Sequence, residues 1–312
     1  MKNKKGDWYI EVTCDTWEDF LKKAKNYEKK EKEKYKKDGG VFYRGQNDKK
    51  QKLESSFDRA VIASSPLKDG YKRWQYEAAI LREFMRRAHQ YITHVPKEEN
   101  LLEWLSLMRH YGAPTRLVDF TYSHYIAAYF AFSSLKKTSR AVWAINLGWL
   151  REVTTERIGE DDLHEYENFM KHFLNPDSPA SFVAALNAER MNERLTIQQG
   201  VFLCPGNIGQ SFEKNLISMQ PRKGSIVKFV IPHSERNKAL TELKHMNISN
   251  ATLFPDLGGF AESLNDRFEL LFKDYHIPEK TLRKVITCLK SSGAVKVPIA
   301  PFEPLSAGQS EN

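Results

Sequence analysis

The stretch Val41-Phe42-Tyr43-Arg44-Gly45-Gln46 governs the interpretation of the whole sequence. Its first three residues favour a β-strand, and Gly45 is predicted to break that strand. Arg44 would then place a guanidinium at the rim of a sheet, beside a glycine that lets another group approach the backbone. A guanidinium binds phosphate or carboxylate through paired hydrogen bonds. Two interpretations follow: Arg44 binds an anionic ligand, or it pairs with a buried carboxylate at the strand end.

The segment from Arg109 to Thr121 concentrates polar side chains between two predicted helices. Apolar spacing predicts a helix over Leu101 to Met108, which Gly112 is placed to end. A second helix, apolar on nearly every side and therefore buried, is predicted from Ser123 to about residue 135. The residues between them, Thr115 to Phe120, are predicted to form a connector. Loops held by rigid elements often carry binding groups, so the cluster as a whole favours a site.

Individual residues of this cluster allow both a functional and a structural interpretation. His110 titrates near neutrality and can act as an acid, a base or a hydrogen-bond donor. Asp119 or Thr121 can cap the following helix, and Arg116 can neutralise Asp119.

A third polar segment, Glu193 to Phe202, carries Gln198 and Gln199 ahead of a predicted strand. Glutamine amides donate and accept hydrogen bonds but do not act as general bases. This segment would therefore orient a ligand. Glu193 offers a carboxylate one helical turn after Glu189, and surface ion pairing is the alternative use of both.

The order of the remaining elements favours an α+β fold, with a mixed sheet and flanking helices, over a regular alternation of strands and helices. Further segments are predicted as follows: strands at Trp8 to Val12, Ala141 to Leu147, Val201 to Leu203 and Ser225 to Ile231, and helices from a Thr16 cap to Lys37, at Trp74 to Tyr91, Ser181 to Arg194, 234–246 and 256–272. The lysine-rich helix before residue 37 is predicted to be either a solvated face with i,i+4 Lys–Glu pairs or a contact with nucleic acid or lipid. The chain divides into an N-terminal strand and helix (1–40), a main domain (41–272) and a C-terminal extension with a flexible tail (273–312).

Composition bears on the partners, metal content and cellular compartment expected for the protein. The 312 residues carry a formal net charge of +8, which favours anionic partners only weakly. Three cysteines without paired spacing predict neither a disulfide framework nor a zinc site, so we expect a reducing compartment and no metal. We expect a cytoplasmic protein because a secretory signal and an apolar run of membrane-spanning length are absent from the sequence.

These segments together resemble the FRG-domain family, named for a Phe/Tyr-Arg-Gly signature. The resemblance rests on four ordered blocks: Tyr43-Arg44-Gly45-Gln46 with Leu53, Ser55-Ser56 and Arg59; His110 to Thr121 with Ala127 to Ala131; Arg194 with Gln198 to Phe202; and Leu253-Phe254-Pro255-Asp256-Leu257-Gly258-Gly259. On this basis residues 41–272 are interpreted as the FRG domain. FRG domains are bacterial and phage-associated modules, often suspected of roles in toxin or anti-phage systems.

The family layout is similar to that of ADP-ribosyltransferases, which implies NAD as a cofactor. By that comparison Arg44 holds the NAD phosphates, Thr115 to Thr121 lines the nicotinamide-ribose pocket, and Gln198-Gln199 takes the third position. Glutamine stands where a transferase carries its glutamate, and Glu193 is the neighbouring substitute. The implied residues are His110, Asp119 and Glu193 for catalysis, and Tyr43, Arg44, Gly45, Tyr111, Thr115, Arg116, Thr121, Gln198 and Gln199 for ligand binding. The alternative is a non-catalytic module that binds a nucleotide or RNA.

Overall fold

The computed structural model describes residues 8–36, 39–64, 70–160, 170–173, 180–187 and 193–264, with single positions at 280, 283, 284, 287, 288 and 291. The chain divides into two compact units, residues 1–263 and 264–312. The strands and helices named below all belong to the first unit. In the second unit, the Thr287 hydroxyl donates a hydrogen bond to the Arg283 carbonyl at 2.7 Å, and Cys288 is exposed.

A mixed seven-stranded sheet forms the centre of the first unit. Its strands are β1 (Ile10–Thr13), β2 (Val41–Gln46), β3 (Val118–Thr121), β4 (Arg140–Asn146), β5 (Val183–Leu186), β6 (Gly200–Pro205) and β7 (Ile226–Ile231). They lie in the order β1-β7-β4-β2-β3-β6-β5. The β1–β7 pair is parallel and every other neighbouring pair is antiparallel. The prediction of an α+β fold with a mixed sheet and flanking helices is therefore confirmed.

Helices cover both faces of the sheet. They are α1 (Trp17–Tyr35), α2 (Ser56–Ala63), α3 (Gly70–Ala88), α4 (Leu101–His110), α5 (His124–Phe132), α6 (Leu147–Ile158), α7 (Glu193–Ile197), α8 (Phe212–Ser218), α9 (Arg236–His245) and α10 (Asn250–Leu253). One apolar core contains Trp17 of α1, Phe132 of α5 and Leu243 of α9. A second core contains Trp149 of α6 and Phe212 of α8.

Gly45 explains how α5 reaches the sheet. A Cβ atom at this position would lie 2.6 Å from the Ala131 backbone nitrogen and closer still to the Ala127 carbonyl oxygen. Only glycine leaves room for helix backbone at that distance, so α5 packs directly against β2. The group that approaches the glycine closely is therefore a helix of the protein itself.

Local capping signals gave correct helix starts. The Thr16 side chain accepts a hydrogen bond from the Asp19 amide at the start of α1, and the Ser123 side chain accepts one from the Ile126 amide at the start of α5. These bonds satisfy amides that have no partner inside the helix. Both predicted starts are confirmed.

Three predicted boundaries were wrong. The predicted connector contains β3, whose Val118 and Phe120 side chains are buried and whose backbone pairs with β6. Residues 183–186, predicted as part of a helix from Ser181 to Arg194, form β5, because pairing with β6 overrides the helix propensity of the two alanines in this segment. Strand β2 also continues through Gly45, where it pairs with Val142 of β4.

Two other predictions fall partly or wholly outside the described residues. Residues 257–264 are helical, whereas the rest of the helix predicted at 256–272 lies outside them. The tail predicted after residue 297 lies outside them as well. None of the helices in the described ranges is long and apolar enough to cross a membrane.

Candidate functional site

A cleft of about 700 Å³ lies beside β2 and β3. Segments from distant parts of the chain line it: strands β2 and β3, the end of α4, the loop before α2, and α7. Its lining is Tyr43, Arg44, Gly45, Gln46, Asn47, Gln51, Lys52, Glu54, Arg59, Ser106, Arg109, His110, Gly112, Asp119, Phe120, Thr121, Phe130, Arg194, Leu195, Gln198 and Phe202.

Positive charge dominates this cleft. Its cationic side chains are Arg44, Lys52, Arg59, Arg109 and Arg194, and its carboxylates are Glu54 and Asp119. Such an excess of guanidinium groups in a concave site attracts anions.

Arg44 is the most deeply buried cation of the cleft, with its side chain 17% exposed. Its Nη1 atom donates a hydrogen bond to the Asp119 carbonyl oxygen at 2.6 Å. Its buried Nε atom has no hydrogen-bond partner in the described part of the chain. Burial, with the charges of Arg109 and Arg59, lowers the pKa of Arg44 to about 10, despite the opposing effect of Asp119. The fold thus holds a guanidinium with spare hydrogen-bonding capacity beside other cations.

Asp119 lies among these arginines. Its carboxylate accepts a hydrogen bond from Arg109 Nε at 2.8 Å and a second from Arg109 Nη2. Burial alone would raise the pKa of the Asp119 carboxyl, but Arg109 and Arg44 outweigh burial and hold that pKa below its ordinary value. Asp119 is therefore ionised at neutral pH. Its side chain remains 41% exposed and so faces the cleft.

Arg194 is a further cation of the cleft lining. Its guanidinium lies over the Phe254 ring, 4.2 Å from the ring centroid. This cation–π contact orients the charge. Beside it, Gln198 Nε2 donates to the Leu253 carbonyl at 2.9 Å, and the Gln198 carbonyl accepts from the Thr121 hydroxyl at 2.8 Å. These bonds fix α7 and the residues after it against β3.

His110, at the end of α4, lines the same cleft. Burial, reinforced by the charge of Arg194, lowers the pKa of the His110 imidazole, and Asp256 opposes this effect. The histidine is therefore mostly neutral at pH 7, and its protonation depends on the charges around it.

The structure brings together many of the residues singled out from the sequence but not all of them. Tyr43, Arg44, Gly45, His110, Asp119, Thr121 and Gln198 line the cleft. Tyr111, Thr115, Arg116, Glu193 and Gln199 do not belong to its lining.

Arg116 and Thr115 instead make structural contacts. Arg116 is buried, forms a bidentate ion pair with Glu77 and donates to the Phe173 carbonyl at 2.9 Å. The Thr115 amide donates to the Ser56 hydroxyl at 3.0 Å, which joins the loop after α4 to the start of α2.

The remaining three lie at the surface. Tyr111 is 60% exposed, and Glu193 is also exposed. Gln199 has φ of +46° and its carbonyl accepts from the Tyr122 amide at 3.0 Å, so it forms the turn into β6.

Several cleft residues were not assigned a role from the sequence. Arg59, Arg109 and Arg194 lie inside segments that were singled out, but only their convergence in space marks them as a group. Lys52 and Glu54 precede the Ser55 cap of α2 and carried no signal of their own. Within the described ranges, no cluster of three or more His, Cys, Asp or Glu side chains is placed to hold a metal ion.

Comparison with known proteins gives one match. No curated protein and no solved structure matches the chain. Residues 39–140 match the family model of the FRG domain. That segment contains β2 and β3 and ends at the first residue of β4, whereas Arg194 and Gln198 reach the cleft from beyond it. By this match, residues 39–140 are similar to the FRG domain.

Proposed function

We propose that the cleft binds a nucleotide-sized anion through its arginines, and that NAD is the first ligand to test. The observation that carries the proposal is the state of Arg44. Its guanidinium is buried, lies near two further arginines, and has an Nε atom without a hydrogen-bond partner among the described residues.

The energetics of burial favour an anionic ligand. A buried polar group without a partner costs about 1–3 kcal/mol, and more when it is charged. Like charges close together add to that cost. A phosphate in the cleft would pair with Arg44 and offset the repulsion between Arg44, Arg59 and Arg109.

The size and walls of the cleft favour a nucleotide over a simple inorganic ion. Small-molecule sites commonly measure about 300–1,000 Å³, and this cleft measures about 700 Å³. Phe130, Leu195 and Phe202 supply apolar surface in the same cleft as the arginines. In a nucleotide, the planar base would contact the apolar side chains and the phosphates would contact the arginines.

Calorimetry with NAD, ADP-ribose and inorganic pyrophosphate tests the proposal. We expect at least one of these to bind, and Arg44→Gln to weaken that binding by about tenfold or more, since a charge-assisted bond contributes about 1.5–3 kcal/mol. Arg222→Gln is the matched control, because it removes the same charge from an exposed ion pair with Glu152. Absence of binding by all three compounds, or equal loss in the two variants, would refute the proposal.

A second candidate function is NAD cleavage or ADP-ribosyl transfer, with the ADP-ribosyltransferase-like layout that the family resemblance implies. The favouring observation is that two carboxylates, Asp119 and Glu54, share the cleft with the arginines. Cleavage of the bond between the ribose and nicotinamide develops positive charge on the sugar, which an ionised carboxylate stabilises. Release of nicotinamide from NAD, measured by chromatography, tests this function. Binding without release would leave a non-catalytic nucleotide-binding module.

A role as a toxin or anti-phage effector of bacteria is part of the same proposal. Expression of the chain from an inducible promoter in a bacterial host, with Arg44→Gln alongside, tests it. Growth arrest by the parent chain and its loss in the variant would support the role. Equal growth of both strains, with and without phage, would count against it.

A further inference from the structure

We propose that one face of α1 is a docking surface for nucleic acid. This lysine face consists of Lys22, Lys25, Lys29 and Lys32, all of which are exposed. None of the residues that line the cleft belongs to α1, so the inference is independent of the nucleotide proposed there.

Helix geometry places these lysines together. At about 100° of rotation per residue, the four side chains fall within an arc of about 80° on the helix surface. They extend over about 15 Å along the axis, at about 1.5 Å per residue. The result is a row of cations on one side of a helix.

Contacts with the core hold α1 in place and thereby fix this row. Trp17, Phe20 and Ala24 are fully buried. The Trp17 indole donates to Glu242 at 2.6 Å, and the Tyr27 hydroxyl donates to the Gly224 carbonyl at 2.8 Å. The lysines therefore stand on a rigid support, so docking requires no ordering of the backbone.

The acidic residues of α1 are mostly engaged with groups other than the lysine face. Glu18 pairs with Lys238, and Asp19 pairs with Lys23. Glu28 contacts His124, and Glu31 accepts a hydrogen bond from the Asn146 side-chain Nδ2 at 2.8 Å.

The charge of the lysine face is consequently little neutralised. Across this face, the described residues form one ion pair, between Lys29 and Glu33, with 4.0 Å between nitrogen and oxygen and both side chains largely exposed. A pair of that kind contributes little. Of the two alternatives that the sequence left open, i,i+4 pairing accounts for little of this face, because the fold directs Glu28 to His124 and Glu31 to Asn146.

Two features favour nucleic acid over a lipid surface. Interfacial helices insert apolar side chains into the membrane, whereas the apolar side chains of α1 are packed into the core of this protein. A row of exposed lysines matches a phosphate backbone, which is bound by charge and counterion release.

The experiment measures affinity against salt concentration by fluorescence anisotropy, with a labelled DNA duplex of about 20 base pairs and an RNA duplex of the same sequence. Four phosphate contacts predict a slope of log K against log salt of about −3.6 for DNA. We expect the variant K22Q/K25Q/K29Q/K32Q to lose most of that slope and at least about tenfold in affinity at low salt.

The matched control is K30Q/K50Q/K214Q/K244Q, which removes the same charge from exposed lysines outside the lysine face. Circular dichroism and thermal melting establish that both variants fold. The proposal is supported if K22Q/K25Q/K29Q/K32Q loses affinity and salt slope on the DNA or RNA duplex while the control variant does not. Equal loss in both variants, an unchanged slope, or loss of binding only to anionic phosphatidylserine vesicles overturns it.

Discussion

Asp119 and Arg109 are joined through a single carboxylate oxygen. Asp119 Oδ2 accepts hydrogen bonds from both Nε and Nη2 of Arg109, with Nε at 2.8 Å, and the same oxygen lies 3.9 Å from Arg44 Nη1. Asp119 thus occupies, with its own negative charge, part of the space that an anionic ligand would use. If the cleft binds the anion proposed above, Asp119 would compete with that ligand for the arginines.

The first prediction concerns this competition. We expect Asp119→Asn to tighten the binding of inorganic pyrophosphate by at least about threefold, because one repulsive charge leaves the site and two guanidinium groups lose their ionic partner. Calorimetry measures the affinity. If the cleft also cleaves NAD, the same variant should abolish nicotinamide release.

Glu152→Gln serves as the control for this experiment, since it removes a carboxylate from an exposed ion pair with Arg222. Its pyrophosphate affinity should equal that of the parent chain. Weaker binding by Asp119→Asn would show that Asp119 organises the arginines more than it competes.

A second prediction concerns Gly45 and the packing of α5. We expect Gly45→Ala to lower the free energy of unfolding by about 3 kcal/mol or more, because the added methyl group meets helix backbone that has no space to move. Chemical denaturation measures the change.

Gly112→Ala is the comparison for Gly45→Ala. Gly112 has φ of +82°, and an added Cβ would meet nothing within 4 Å. Gly112→Ala should therefore lower the free energy of unfolding only through backbone strain, by about 1 kcal/mol. Equal costs in the two variants would contradict the close packing of α5 on β2.

A third prediction concerns the buried ion pair between Arg116 and Glu77. We expect Arg116→Met or Glu77→Leu alone to destabilise the fold by about 3–5 kcal/mol, because each leaves an uncompensated buried charge. The double variant should recover much of that loss. Thermal and denaturant unfolding measure all three variants.

The double variant also tests where Arg116 acts. Because Arg116 does not line the cleft, the folded double variant should bind nucleotide as the parent chain does. Lost binding in a folded double variant would restore the role in ligand binding that the family resemblance implies.

A fourth prediction concerns pH. Burial and Arg194 lower the pKa of His110, whereas an anion in the cleft would favour the imidazolium and raise that pKa on binding. Binding then takes up a proton, so affinity for ADP-ribose should increase as pH falls from about 8 to about 6. The pyrophosphate group of ADP-ribose does not titrate in this range.

His110→Gln should flatten this pH dependence while leaving the affinity near pH 8 nearly unchanged. Isothermal calorimetry in buffers of different ionisation enthalpy measures the proton uptake directly. A pH profile that is identical in the variant would assign the proton to another group.

Features that depend on neighbouring residues could be predicted from the sequence. The caps at Thr16 and Ser123 act within one helical turn, and the strands at β4 and β7 are long apolar runs. By contrast, β3 has four residues, and its pairing with β6 lies about 80 positions away in the sequence. Short strands of this kind are determined by distant partners.

In the candidate site too, contacts between residues distant in the sequence could not be predicted. Arg44 was predicted to matter because it stands before a glycine at a predicted strand end, and Asp119 because its segment is rich in polar residues. The role of Arg116 depends on Glu77, a residue 39 positions earlier whose burial no local pattern indicates. Arg194 belongs to a segment that the sequence marked, but only the fold shows that it lines the same cleft as Arg44.

The parallel pairing of β1 with β7 has a consequence for the order in which the chain folds. Ile10 is opposite Val227 and Thr13 is opposite Val230, so the first strand meets its partner only after more than two hundred intervening residues have been synthesised. During translation, β1 and α1 are therefore synthesised long before the β7 strand with which β1 pairs. The sheet can therefore be completed only late in synthesis, and a nascent chain that stalls before β7 leaves the Arg44 strand in an incomplete sheet.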